Sequence, residues 1–177
     1  KDNIAKAKCE IVKSLNPKGV VIIPANDNLL EKTLKDVWKG RILKIYILNE
    51  KEIQNIKSDK KNLLLGIYDD KKNLITIDDK VFEISYKGIH NAYNFLFAYA
   101  ISQEFRIKFS KYNFFNFQSI CGRNRLVKRN KVTILDETYN ASPESVKACI
   151  NVLLECPGNH FLVLGSMKEL GKMSTKY

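Results

Sequence analysis

The 177-residue chain has no apolar run near the roughly 20 residues that cross a bilayer, so membrane insertion is not expected. No apolar core follows Lys1-Asp2-Asn3-Ile4, which excludes a signal peptide at that position. The sequence also lacks an initiator Met, and Ser174-Thr175-Lys176-Tyr177 closes no element, so a fragment cut at both ends is expected. Cysteine is scarce: Cys9, Cys121, Cys149 and Cys156 form no CxxC pair and read as buried free thiols. His90 and His160 lie far apart and make no metal-ligand spacing. Acidic residues are few, 19 against 30 basic, giving a net charge of +11. Such a balance raises the case for nucleic acid. The lysines, however, are scattered singly and in pairs. The densest basic stretch, Arg123 to Lys131, holds no aromatic on which a base could stack, so no nucleic-acid partner is expected. No internal repeat or low-complexity linker is visible. With 45% hydrophobic and 28% charged residues the chain is globular.

Periodicity predicts an α/β fold. Residues 3–15 read as a helix with Ile4, Lys8, Ile11, Val12 and Leu15 on one stripe, broken at Asn16-Pro17-Lys18-Gly19. Val20 to Ile23 is a continuous apolar run, the mark of a strand buried on both faces. A helix follows over 28–38, with Leu29, Leu30, Leu34, Val37 and Trp38 facing inward, then a strand over 43–48. Strand–helix–strand order predicts a parallel sheet. Leu63–Tyr68, Leu74–Ile77 and Val81–Ile84, with Asp-Asp turns between them, predict an antiparallel patch. A long helix is expected from about His90 to Phe105, and a second helical stretch ending near Ile120. Gly122 opens a basic connection, and Val132–Asp136 restarts the α/β pattern. Pro143 opens a helix to about 154 with Ser142 as its cap, and Phe161–Gly165 reads as the next buried strand. A domain boundary is expected near residue 120: 1–120 as one domain, 121–177 as the beginning of another.

Four segments carry chemistry. Lys8 lies on the apolar stripe of its helix. It either snorkels to water, or it is a partly buried amine whose neutral form is favoured and can take up carbon dioxide as a metal-binding carbamate. His90, Asn91 and Asn94 fall in and just after the first turn of a helix led by Gly88. Their amides suit the donor–acceptor edge of adenine, or Asn91 simply caps the helix. Gly122-Arg123 precedes Asp136-Glu137-Thr138-Tyr139-Asn140-Ala141-Ser142-Pro143, a strand ending in two carboxylates and a helix-opening loop. Ligands bind beyond such strand ends; the carboxylates could accept ribose hydroxyls and Arg123 could pair with phosphate. The alternative is a capping loop with a surface ion pair. Finally, Leu164-Gly165-Ser166-Met167-Lys168-Glu169-Leu170-Gly171 follows the last apolar run.

In this order the segments resemble the Mur ligase family: Ala5-Lys6-Ala7-Lys8-x-Glu10, His90-Asn91-x-x-Asn94, Gly122-Arg123, Asp136-Glu137-x-Tyr139-Asn140-Ala141-Ser142-Pro143 and Leu164-Gly165-x-Met167-x-Glu169-Leu170-Gly171. The last two are similar to those of the family member that adds D-alanyl-D-alanine to UDP-N-acetylmuramoyl-tripeptide. The resemblance implies the later part of a central ATP-binding domain, a mixed sheet with helices, followed by the start of a Rossmann-like C-terminal domain. It implies a monomeric cytoplasmic enzyme of peptidoglycan synthesis that uses ATP and Mg2+ and passes through an acyl phosphate. It makes Lys8 the carbamylated magnesium-supporting lysine. His90, Asn91, Asn94, Arg123, Asp136 and Glu137 become nucleotide contacts, and Asn140 a contact of the incoming dipeptide. The family's Gly-x-x-Gly-Lys-Thr phosphate loop would lie upstream of Lys1. Ile89 stands where Arg is usual, Ser166 where Asp is usual, and Pro24 and Asn26 replace an Asn and an acidic residue. A related Mur or folylpolyglutamate-type ligase, or a nonenzymatic nucleotide- or nucleic-acid-binding α/β module, are the rival readings.

Overall fold

The computed structural model describes residues 2–48, 62–85, 87–108, 121–123, 125–168, 170–171 and 174. The chain divides into two compact units, Lys1–Asn113 and Phe114–Tyr177. The helical stretch expected to end near Ile120, and the boundary expected there, lie outside the described residues.

The first unit is built on one five-stranded sheet in the order β1 (Val20–Pro24), β2 (Arg41–Leu48), β3 (Leu63–Asp69), β4 (Leu74–Ile77), β5 (Lys80–Glu83). β1, β2 and β3 run parallel, while β3–β4 and β4–β5 are antiparallel. The expected parallel and antiparallel regions are thus one mixed sheet. The β4–β5 turn places Asp78 (φ 47°) and Asp79 (φ 62°) in the left-handed region. That two-residue turn follows the right-handed twist of its strands.

Side chains alternate across the sheet. Val21, Ile23 and Ile42 face α1 (Asp2–Cys9) and α2 (Asn28–Val37), where Cys9, Val12, Leu34 and Trp38 complete a core cluster. Ile45, Gly66, Tyr68, Ile75 and Phe82 face α3 (Ile89–Glu104), which buries Phe95, Leu96 and Tyr99 against them. Gly66 makes that approach possible: a Cβ there would stand 3.0 Å from Ile75 Cδ1 and 3.4 Å from Leu96 Cδ2. The Phe82 ring lies tilted against Phe95 and Tyr99, with centroids 5.5 and 5.6 Å away, within the range of favourable aromatic pairs.

Two inward faces differ from expectation. The buried stripe of α1 and the 3-10 turn after it (Glu10–Ser14) is Ala5, Cys9 and Val12; Ile4 and Ile11 are 60% and 78% exposed, and Lys8 is exposed with them. Val12 is buried and Leu15 packs against the cluster, as expected, but Ala5 and Cys9 take the core positions expected of Ile4 and Lys8. Val37 points outward at 55% exposure, while Trp38 is the buried residue at that end of α2.

The second unit contains β6 (Arg125–Arg129) and β7 (Val132–Asp136), an antiparallel hairpin, and α4 (Pro143–Leu154). Part of the expected basic connection is therefore strand. Ser142 caps α4 by accepting from Ser145 N–H, and Ser145 Oγ returns a bond from Ser142 N–H. Residues 161–165 are exposed and assigned to no strand, contrary to the buried strand expected there. An apolar run becomes a strand only where a neighbour completes its ladder, and among the described residues neither β6 nor β7 pairs with it. The thiols are all free, but only Cys9 is buried; Cys121 and Cys156 are exposed and Cys149 lies between. Among the described residues no helix is long and apolar enough to cross a membrane.

Candidate functional site

The first turn of α3 brings three candidates together. Gly88 precedes the helix at φ 106°, where a side chain would be strained, and its carbonyl accepts from Asn91 N–H and Ala92 N–H. Asn91 Nδ2 donates to Lys87 O at 2.7 Å and lies 3.0 Å from His90 Nε2. Asn94, three residues on, is exposed on the same side of the helix. Asn91 thus ties its own turn together. The entrance to this helix is held from below by residues that the sequence did not single out. Gly88 N–H donates to Tyr68 Oη, and the Tyr68 hydroxyl donates to Asn73 Oδ1, each at 3.0 Å. Nothing in the spacing of Tyr68 and Gly88, twenty residues apart, announces that contact.

Lys8 lies in the α1–α2 layer, on the sheet face opposite α3, so the structure does not group it with His90, Asn91 and Asn94. Lys8 is exposed, not partly buried on the apolar stripe expected of its helix. Among the described residues no group of three or more His, Cys, Asp or Glu lies together to hold a metal. A cleft of about 650 Å³ beside α2 and β2, lined by Glu31, Lys35, Trp38, Arg41, Lys44 and Leu63, holds none of the sequence candidates. Its cations are engaged: Lys35 and Lys44 reach Glu31 at 2.7 and 3.4 Å, and Arg41 pairs with Glu104. The Lys35 hydrogen bond, with help from Lys44, holds the Glu31 carboxyl below its ordinary range.

In the second unit Asp136 is the hub. Its Oδ1 accepts from Thr138 Oγ1 at 2.7 Å and Thr138 N–H at 3.2 Å, and its Oδ2 accepts from Gly122 N–H at 3.2 Å. Tyr139 N–H donates back to Gly122 O at 3.0 Å. The Thr138 hydroxyl first, then the Thr138 and Gly122 amides and the Arg125 charge, lower the Asp136 pKa. The two segments 121–123 and 136–139 are thereby stapled. Gly122, at φ 74°, is required: a Cβ there would meet Tyr139 N at 2.7 Å. The Arg123 guanidinium lies over the Tyr139 ring, 4.1 Å from its centroid, a cation–π contact that orients the cation. Glu137 stands half-buried near Cys149, whose thiol is raised by burial and by that charge. Asn140 is exposed, and its Oδ1 accepts from Ala141 N–H. So Arg123 and Asp136 are brought together, with Thr138 and Tyr139 as supports that the motif contained but residue type alone did not rank.

The chain is 32% identical over 171 residues to the UDP-N-acetylmuramoyl-tripeptide–D-alanyl-D-alanine ligase of Synechocystis sp., covering 95% of this chain and 35% of that protein. It is 29% identical over 179 residues to the ligase of the same name from Buchnera aphidicola subsp. Acyrthosiphon pisum, covering 98% and 38%. It therefore spans little more than a third of the length of these relatives. Among solved structures it is similar to MurF from Acinetobacter baumannii (TM-score 0.75, 22% identity, covering 99% of this chain and 38% of that one). It is also similar to the MurF ligase from Thermotoga maritima in complex with ADP (TM-score 0.73, 22% identity, covering 99% and 40%). The family description that matches residues 1–102 is the Mur ligase middle domain, and the chain belongs to the Mur ligase family.

Proposed function

We propose that the protein carrying this chain is an ATP-dependent amide ligase of peptidoglycan precursor synthesis, joining D-alanyl-D-alanine to UDP-N-acetylmuramoyl-tripeptide. The observation that carries the reading is the extent of likeness. Alignment with the Synechocystis UDP-N-acetylmuramoyl-tripeptide–D-alanyl-D-alanine ligase runs through 95% of the chain, well past residue 102, and so takes in the Asp136–Pro143 loop. In this reading residues 1–120 form the later part of the ATP-binding domain and 121–177 the beginning of a Rossmann-like domain. The protein acts as a cytoplasmic monomer.

The tripeptide carboxylate takes the γ-phosphoryl group of ATP, with loss of ADP, and the dipeptide amine then displaces phosphate from the acyl carbon. Positioning and charge compensation are what a protein contributes to such a transfer. His90, Asn91 and Asn94 hold the adenine edge. Arg123, fixed on Tyr139, meets phosphate oxygens with its guanidinium. Glu137 accepts a ribose hydroxyl beside Asp136, which is largely committed to its own loop, and Asn140 meets the dipeptide. Mg2+ supplies charge neutralisation at the phosphates when bound. Among the described residues no cluster of His, Cys, Asp or Glu side chains makes a Mg2+ site; the one oxygen ligand that the family resemblance implies would come from Lys8 as a carbamate. The complete protein is expected to release phosphate from ATP only when UDP-muramoyl-tripeptide and D-alanyl-D-alanine are both present. Release that ignores the dipeptide refutes the reading. Lys8→Ala should lower turnover by roughly a hundredfold, by analogy with losses around metal ligands; a rate within a few-fold of the parent removes Lys8 from the site.

A further inference from the structure

Tyr68 is 6% exposed on the α3-facing side of β3. A buried phenol needs partners for its hydroxyl, and here that hydroxyl both donates and accepts. It donates to Asn73 Oδ1 and accepts from Gly88 N–H. Asn73 sits in the left-handed region at φ 55°, in the turn between β3 and β4. Its Nδ2 donates to Ile84 O, and its own carbonyl accepts from Ile84 N–H at 3.2 Å. One small network therefore grips the chain at both ends of the short link from β5 to α3: at Ile84 through Asn73, and at Gly88 through Tyr68. Gly88 leaves this grip at φ 106° and ψ 144° and receives the first helical amides, so the height of the Tyr68 hydroxyl sets where the first turn of α3 begins. Asn91 is locked to that same turn through Lys87 O.

We infer that Tyr68, supported by Asn73, is a positioning residue for nucleotide selection: it fixes the height of the His90-Asn91-x-x-Asn94 turn against the sheet. The inference rests on the reading of that turn as the adenine contact. An amide pair reads a base edge only when its donor and acceptor are placed to within a few tenths of an ångström. A shift of the turn therefore weakens adenine and favours no other base in its place, so discrimination between ATP and GTP falls. Binding of the tripeptide and the dipeptide, which do not meet this turn, stays unchanged.

The test compares Tyr68→Phe, Asn73→Gly and Asn94→Ala in the complete protein. Tyr68→Phe keeps the ring and removes one oxygen. Asn73→Gly keeps the left-handed backbone and removes the side-chain link. The readouts are ADP affinity by calorimetry, KM for ATP against KM for the dipeptide, the ATP-to-GTP ratio of kcat/KM, and amide exchange at Gly88. Tyr68→Phe removes both hydrogen bonds of the hydroxyl and is expected to weaken ADP and raise KM for ATP about 3- to 10-fold, the worth of the one bond, to Gly88 N–H, that bears directly on the turn. It should narrow the ATP-to-GTP ratio, speed exchange at Gly88, and leave KM for the dipeptide within twofold. Asn73→Gly should move the same quantities in the same direction. If Asn94→Ala changes ATP affinity and selectivity while Tyr68→Phe and Asn73→Gly alter thermal stability alone, Tyr68 is merely structural and the inference is overturned with the adenine reading intact. If Asn94→Ala leaves ATP affinity and selectivity unchanged, the adenine reading itself fails and the inference falls with it.

Discussion

Replacing Gly122 by Ala perturbs the second unit at one point. Gly122 is buried at φ 74°, and the added methyl would stand 2.7 Å from the Tyr139 backbone nitrogen. Holding an L-residue in the left-handed region costs about 1–2 kcal/mol. Because backbone cannot yield as a side-chain tip can, segments 121–123 and 136–139 must part, and the 3.0 Å bond from Tyr139 N–H to Gly122 O is lost, about 1 kcal/mol more. The sum, about 2–3 kcal/mol, corresponds to a rise of between about 30- and 150-fold in local opening. Amide exchange at Tyr139 reads that opening directly. Gly165→Ala is the control, since nothing lies within 4 Å of a Cβ there. Tyr139 exchange within threefold of the parent in folded Gly122→Ala protein would show that the staple is not what orders this loop, and the argument for a fixed Arg123 would go with it.

Leu96→Ala, at a fully buried position where α3 meets the sheet, should cost 2–5 kcal/mol in urea unfolding of the first unit, whereas Leu126→Ala, 64% exposed, should stay within about 0.5 kcal/mol. Ser142→Ala removes the cap and the reciprocal bond at the start of α4 and should lower the stability of that helix by about 1 kcal/mol, seen as faster exchange at Ser145. Asp136 has a lowered pKa, so its contribution to the loop is full above the ordinary aspartate value near 4 and is lost as pH falls through the lowered value. Tyr139 resonances followed by NMR should move in that acid window in the parent and not in Asp136→Asn.

Much of the fold was legible because it is written in local chemistry. The apolar run Val20–Ile23, the helix-period residues of 28–38 and the strand at 43–48 point to a parallel unit, since parallel neighbours need a crossover, usually a helix, between them. Asp78-Asp79 reads as a turn, and Ser142-Pro143 starts a helix, because each residue type favours that backbone on its own. The candidate segments likewise stood out by residue type and order, and two of them, Asn91 with Asn94 and Arg123 with Asp136, stand together within their units. Tertiary structure decided what local chemistry leaves degenerate. Along α1 and the turn after it, the expected stripe Ile4-Lys8-Ile11-Val12-Leu15 holds only from Val12 on; Ala5 and Cys9 pack in the core beside Val12, while Ile4, Lys8 and Ile11 face solvent. A run such as 161–165 carries the apolarity of a strand, but pairing is a property of a neighbour, not of the run. Asp136 reads as a free carboxylate until folding brings Gly122 and Thr138 to it. The Tyr68 hydroxyl gains its role only because β3 and the start of α3, twenty residues apart in sequence, meet at hydrogen-bond distance.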